Sequence, residues 1–148
     1  MTSILTARFE DALVFTAQLH AQQYRKGSQI PYIAHLLSVS ALVIEAGGDE
    51  DLAIAALLHD AVEDQGGLET LVKIRQRFGK RVAGIVDSCS DSYIMPKPAW
   101  KPRKENYLDK LQTSSQEVRL VSLADKLHNA RNTLRDLRKE ISSCRNNG

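Results

Sequence analysis

The chain has 148 residues, and its 20 basic side chains nearly balance 18 acidic ones. That balance excludes a global electrostatic case for duplex nucleic acid or an anionic membrane surface, so any basic recognition has to be local. The length suits one domain with a real core, and no apolar run approaches the length of a bilayer span.

The first helix is predicted over residues 4 to 23, where Leu5, Phe9, Ala12, Leu13, Thr16 and Leu19 recur at three- and four-residue steps. Tyr24 to Pro31 reads as a loop, since Pro31 disfavours helix just before it. A second helix runs from Ile33 to Glu45 and stops at Gly47-Gly48. Asp49 is a good N-cap for a third helix reaching Glu63. After Gly66-Gly67, Leu68, Leu71, Val72, Arg75 and Phe78 mark a fourth helix closed by Gly79, and Val82, Ile85, Val86 and Cys89 mark a fifth. Asp91 to Arg103 holds Pro96, Pro98 and Pro102 and reads as a stiff irregular loop. A short sixth helix is expected over Lys104 to Leu111. Ser114-Ser115-Gln116-Glu117 fits a capping box for a last helix ending near Arg138. No stretch alternates like a strand, so the fold class is all-α, a compact helical bundle.

Cys89 and Cys144 are too few and too far apart for a disulfide framework or a cysteine zinc site. Met1-Thr2-Ser3-Ile4-Leu5 lacks the charged start and long apolar core of a secretion signal. The expected compartment is the cytoplasm, with no membrane partner; the oligomeric state stays open.

The chemistry concentrates in Leu57-Leu58-His59-Asp60-Ala61-Val62-Glu63-Asp64. With His59 as zero on a helix, Asp60 falls at about 100°, Glu63 at about 40° and Asp64 at about 140°, all on one face. Placing an imidazole and three carboxylates beside Leu57 and Leu58 without a partner is very unfavourable. A divalent cation is the simplest partner that satisfies them together. A second polar face lies in the last helix, where Asp125, His128, Asn129 and Asn132 follow three- and four-residue steps. Beside the first cluster, Asp125 becomes a candidate ligand from another helix. His35 stands near the start of an apolar helix, a place that suits a hydrogen-bonded core histidine as well as a ligand. Arg25-Lys26 forms a short basic loop suited to phosphates, arginine by bidentate contact and lysine as a point charge.

The order His35, His59-Asp60, Asp125 resembles the H…HD…D pattern of the HD-superfamily metal-dependent phosphohydrolases. The finer resemblance is to the hydrolase domain of the RelA/SpoT family and its small stand-alone alarmone hydrolases. It is carried by Arg25-Lys26, by Pro31-Tyr32-Ile33-Ala34-His35 and by Ala55-Ala56-Leu57-Leu58-His59-Asp60-Ala61-Val62-Glu63-Asp64. Phe78-Gly79 and Leu123-Ala124-Asp125-Lys126-Leu127-His128-Asn129 complete it. The resemblance implies an HD-domain bundle of about six to eight helices, a single hydrolase domain over residues 1–148. It implies His35, His59, Asp60 and Asp125 as metal ligands, Glu63 and Asp64 as the acids that handle the attacking water, and Arg25, Lys26 and Asn129 as nucleotide contacts. His20 also matches a family position and is expected to act behind the site or in packing; His128 is expected to be structural. The loop from Arg25 to His35 is one residue longer than the usual spacing, and Ser88-Cys89-Ser90-Asp91 replaces a threonine-lysine step.

Trp100 sits among Lys97, Lys101, Arg103 and Lys104, the only strongly basic stretch holding an aromatic. It suits stacking of a purine, with Lys101 and Arg103 on distal phosphates, or equally a Pro-stiffened loop with the indole tucked against the bundle. Two imidazoles and two carboxylates, without thiolate, suit Mn(II), with Fe(II) as an alternative. The resemblance implies hydrolysis of guanosine 3′-diphosphate 5′-di(tri)phosphate at the 3′ position with release of pyrophosphate. The alternatives are a broader HD nucleotide phosphohydrolase, acting on 5′-phosphates or adenine alarmones, and a non-catalytic nucleotide-binding HD module.

Overall fold

Eight helices and no strand occur among the described residues, which are 4–91 and 96–146 of a computed structural model. They are α1 (Ala7–Leu19), α2 (Ile33–Glu45), α3 (Glu50–Leu58), α4 (Ala61–Asp64), α5 (Gly67–Phe78), α6 (Lys80–Cys89), α7 (Trp100–Gln112) and α8 (Gln116–Asn146). The first three residues of the supposed N-terminal segment, and 92–95 of the Pro-rich stretch, lie outside the described residues. Among the described residues no helix is long and apolar enough to cross a membrane.

The arrangement follows from α3. Every residue from Leu52 to Leu58 is buried, and a helix that is apolar on all sides has to sit in the middle. α1, α2, α6 and α8 pack around it, and α5 packs on α4 and α6. The core joins Val39 and Val43 of α2, Ile74 and Phe78 of α5, Val82 and Val86 of α6, and Val118 and Val121 of α8. Within it, the Ser40 hydroxyl of α2 donates to the Ala53 carbonyl at 2.9 Å.

α2 has the predicted bounds. Its end is sterically fixed: a Cβ on Gly48 would lie 2.7 Å from Val43 Cγ1 and 2.9 Å from the Val43 carbonyl oxygen, so only glycine lets the chain turn back so tightly. Asp49 then caps α3 as expected, accepting from the Leu52 N–H at 3.0 Å.

Several boundaries differ from expectation. α1 is shorter, since Thr6 caps its start. The chain after it forms a pinned loop in which Arg25 N–H donates to Ile30 O and Tyr32 N–H to Gln23 O, both at 2.8 Å. The expected third helix does not run unbroken to Glu63; it ends at Leu58, and α4 begins after a turn at His59 and Asp60. α7 begins at Trp100 rather than Lys104. Pro102 falls in its first turn, where a backbone N–H has no intrahelical acceptor to lose. The cap of α8 is shifted by one residue: Ser115 Oγ accepts from Val118 N–H at 3.3 Å. Ser114 Oγ instead donates to Leu111 O at 2.7 Å, and Glu117 pairs with Arg81. α8 also runs past Arg138 to Asn146.

Candidate metal centre

His35 from α2, His59 and Asp60 from the α3–α4 turn, and Asp125 from α8 converge so that one ligand atom from each lies within 4.8 Å of all the others. His35 Nε2 is 3.0 Å from Asp125 Oδ1 and 3.7 Å from Asp60 Oδ2. His59 Nε2 is 3.1 Å from Asp60 Oδ2 and 3.5 Å from Asp125 Oδ1. Both histidines are buried, yet neither Nε2 makes a hydrogen bond. Two buried imidazole nitrogens left unpaired at the same point call for a shared electrophile. Ligands about 2.1 Å from one ion, at right angles, stand about 3 Å apart, which is the spacing seen. The donor set therefore fits a divalent cation, and two carboxylates with neutral imidazoles match its charge.

The turn explains how adjacent residues both reach the centre. At the end of α3 the last carbonyls have no intrahelical donors. His59 Nδ1 lies 2.7 Å from the Ala56 carbonyl oxygen and donates to it. That fixes the tautomer and leaves Nε2 free to meet a cation. Asp60 is held by the Tyr32 hydroxyl, which donates to Oδ2 at 2.5 Å. Burial alone would raise the Asp60 carboxyl, but His59 and Tyr32 hold it well below the usual range. For Asp125 burial is likewise outweighed by His35, His59 and Lys126, and the carboxyl stays far below its ordinary value. His59 responds in reverse: burial lowers it, while Asp60 and Asp125 raise it well above the histidine norm. The cluster thus strongly favours positive charge at its middle.

Several supporting partners were not legible in the sequence. His35 Nδ1 is 2.7 Å from His128 Nδ1, so His128 orients His35 as well as filling space. Burial and the nearby Arg25 and His35 lower His128 to about 4. Asp125 accepts from Asn129 Nδ2 at 2.8 Å and from Lys126 Nζ at 2.6 Å. Asn129 in turn accepts from Arg25 Nη2 at 2.9 Å, which links the basic loop to the centre. His20 has the expected place behind the site: its Nδ1 is 2.7 Å from Gln23 Oε1, and Gln23 Nε2 donates to Asp64 at 3.0 Å.

Two cavities meet here. One of about 180 Å³ is lined by the metal-side residues Asp60 and Asp125 together with Glu63, Asp64, Lys104 and Lys126. The other, about 830 Å³, is lined by Arg25, Lys26, Trp100 and Arg135, and shares Tyr32, Lys104, Lys126 and Asn129 with the first. The larger volume is in the range of small-molecule sites. Trp100 is 68% exposed on that wall, so it is not tucked into the bundle. Lys101 is more exposed still and stands 3.9 Å from Glu105. Arg103 faces inward to Asp91 and Glu63. Burial, with Asp91 nearby, raises the Glu63 carboxyl above its ordinary value against the pull of Lys97. Burial and Asp60 raise Asp64.

The model of the HD domain family matches residues 12–145. The chain is 40% identical over 132 residues to guanosine-3′,5′-bis(diphosphate) 3′-pyrophosphohydrolase MESH1 of Xenopus tropicalis, covering 87% of this chain and 69% of that protein. It is 37% identical over 136 residues to the Homo sapiens protein of the same name, covering 90% and 71%. Among solved structures it is similar to a metazoan ortholog of SpoT that hydrolyzes ppGpp, with a TM-score of 0.78 and 34% identity over 88% of this chain and 72% of that one. It is also similar to lmo0812 of Listeria monocytogenes EGD-e, with a TM-score of 0.63 and 34% identity over 72% and 66%. The ligand geometry and these matches agree: the chain belongs to the HD-domain family, in the group of its MESH1 and SpoT-type relatives.

Proposed function

We propose that this protein hydrolyses guanosine 3′-diphosphate 5′-di- or triphosphate at the 3′ position and releases pyrophosphate, in the cytoplasm. The observation that carries the reading is the convergence of His35, His59, Asp60 and Asp125 beside a cavity that joins a larger basic one, in a chain whose relatives are named for that reaction. The mixed nitrogen and oxygen donors without thiolate suit Mn(II), with Fe(II) as an alternative; held by His35, His59, Asp60 and Asp125, the ion would supply charge against a phosphoryl oxygen and acidify water.

The protein's own groups do the rest. Glu63 takes a proton from the attacking water, and Asp64, steadied by Gln23, orients it. The water oxygen bonds to the phosphorus next to the ribose as the bond from that phosphorus to the 3′-oxygen breaks; the 3′-oxygen takes a proton from solvent and leaves as the ribose hydroxyl, with no covalent enzyme intermediate. Lys104 and Lys126 stand where the cavities join and face the diphosphate. Arg25, fixed by Asn129, and Lys26 meet the remaining phosphates. Trp100 stacks on the purine, with Lys101 on the outer rim.

The deciding measurement loads purified protein with Mn(II) and offers a nucleotide panel, with pyrophosphate and phosphate scored separately. Pyrophosphate from nucleotides with a 3′-diphosphate is the expected product. Phosphate released from 5′-nucleotides would make the protein a broader nucleotidase, and tight binding without turnover would make it a non-catalytic module. Trp100→Ala is expected to raise KM about tenfold, the worth of one base stacked on an aromatic ring, with kcat little changed. Unaltered kinetics would return Trp100 to a plain loop residue.

A further inference from the structure

Asp91 follows α6 and turns its carboxylate inward; the side chain is 3% exposed. Both of its oxygens lie 3.2 Å from Arg103 Nη1, and Oδ2 accepts from Lys104 Nζ at 2.7 Å. The same Arg103 nitrogen is 3.6 Å from Glu63 Oε1. Glu63 Oε1 also accepts from Lys97 Nζ at 2.7 Å, and Oε2 faces the Asp91 N–H at 3.4 Å. Glu63 is therefore gripped on both oxygens by groups from the start of α7 and the chain leading into it. Two carboxylates and three cations make this a nearly balanced cluster, and Asp91 is its most buried charge.

Arg103 is placed for this role and not for the substrate. Its side chain is 14% exposed, and the cations lining the two cavities are Arg25, Lys26, Lys104, Lys126 and Arg135. We propose that Asp91 and Arg103 are positioning residues. The Asp91 carboxylate holds the Arg103 guanidinium beside Glu63, which keeps the Glu63 carboxylate over the metal-side cavity, and Arg103 does not contact substrate. The inference rests on the reading of Glu63 as the base. Removing the Asp91 charge releases Arg103 to collapse onto Glu63 or swing away, and either displaces the base, because a partner left uncompensated in a buried cluster does not stay in place.

Asp91→Asn keeps the shape and removes the charge; Arg103→Gln removes the cation. Each is expected to lower kcat 10- to 100-fold with KM within threefold of wild type and metal content unchanged. The double variant is expected to be no worse than the poorer single one, since both act through Glu63. Arg103→Lys, a milder change, is expected to restore part of the rate, and it serves as the test if Asp91→Asn does not fold. A tenfold rise in KM at unchanged kcat in Arg103→Gln would make Arg103 a substrate contact and overturn the proposal. Wild-type kinetics in Asp91→Asn or Arg103→Lys alongside Arg103→Gln would do the same. Crystal structures of the metal-loaded variants give a reading free of any nucleotide: Glu63 shifted while His35, His59, Asp60 and Asp125 stay put is expected, and an unmoved Glu63 refutes the inference. If the wild type turns over no nucleotide, the proposed function falls, and the Glu63 position still decides this point.

Discussion

Asp125→Ala is expected to leave the protein folded, empty of metal and at least about 1,000-fold slower, a loss larger than the 10- to 100-fold typical of residues behind a metal's own ligands. Asp125 is the one donor that α8 brings to the centre, and it approaches both imidazoles, at 3.0 and 3.5 Å. Without it a divalent ion faces one carboxylate and two neutral rings, so both charge balance and ligand number are lost. Folding should survive, because α8 is anchored by Val118, Val121 and Ala124 in the core. Asp125→Asn separates charge from shape, since an amide oxygen can still accept from Asn129. Metal content by elemental analysis and turnover should fall together in both variants, less in Asp125→Asn. A variant that keeps its ion and near-normal rate would remove Asp125 from the ligand set and move the centre elsewhere.

The convergence of His35, His59, Asp60 and Asp125 was legible because it is local in sequence or tied to a family pattern: His59-Asp60 is one dipeptide, and His35 and Asp125 sit in recognisable blocks. The helices were legible wherever punctuation was unambiguous, as at Pro31 and Gly47 around α2. What failed was anything decided by tertiary contact. Angular placement on a continuous helix put His59, Asp60, Glu63 and Asp64 on one face, but the chain turns between Leu58 and Ala61. The four residues reach the site by a different route: His59 bonds back to Ala56, and Asp64 leans on Gln23. Glu117 looked like half of a capping box, yet Arg81, packed against it from α6, outcompetes the local bond. Pro102 looked like a helix breaker and is tolerated because it falls in a first turn. Arg103, expected on distal phosphates from its place beside Trp100, is paired with Asp91 in the structure. Its direction is set by Asp91, twelve residues earlier, and no periodicity reports such a pairing.

Glu63→Gln is expected to retain the metal and lose about 10²- to 10⁴-fold in kcat, the usual worth of a placed general base. Glutamine keeps the length and one acceptor oxygen for Lys97, so the cavity wall should hold its shape. What disappears is the ability to take a proton. The pH dependence supplies the second half of the test. Burial and the neighbouring Asp91 raise the Glu63 carboxyl, and Lys97 opposes them. A base works only when deprotonated, so wild-type kcat should fall on the acid side through an apparent pKa above that of an ordinary glutamate. Because the neighbouring Asp91 charge is among the causes that raise Glu63, Asp91→Asn should move that limb to lower pH. In Glu63→Gln the limb should vanish from the residual rate. Asp64→Asn is the natural comparison, since Asp64 is also raised by burial and by Asp60. If Asp64→Asn erased the limb and Glu63→Gln preserved it, the proton would go to Asp64. Loss of metal in step with rate in Glu63→Gln would make Glu63 a ligand, an outcome that its place outside the converging group of His35, His59, Asp60 and Asp125 argues against.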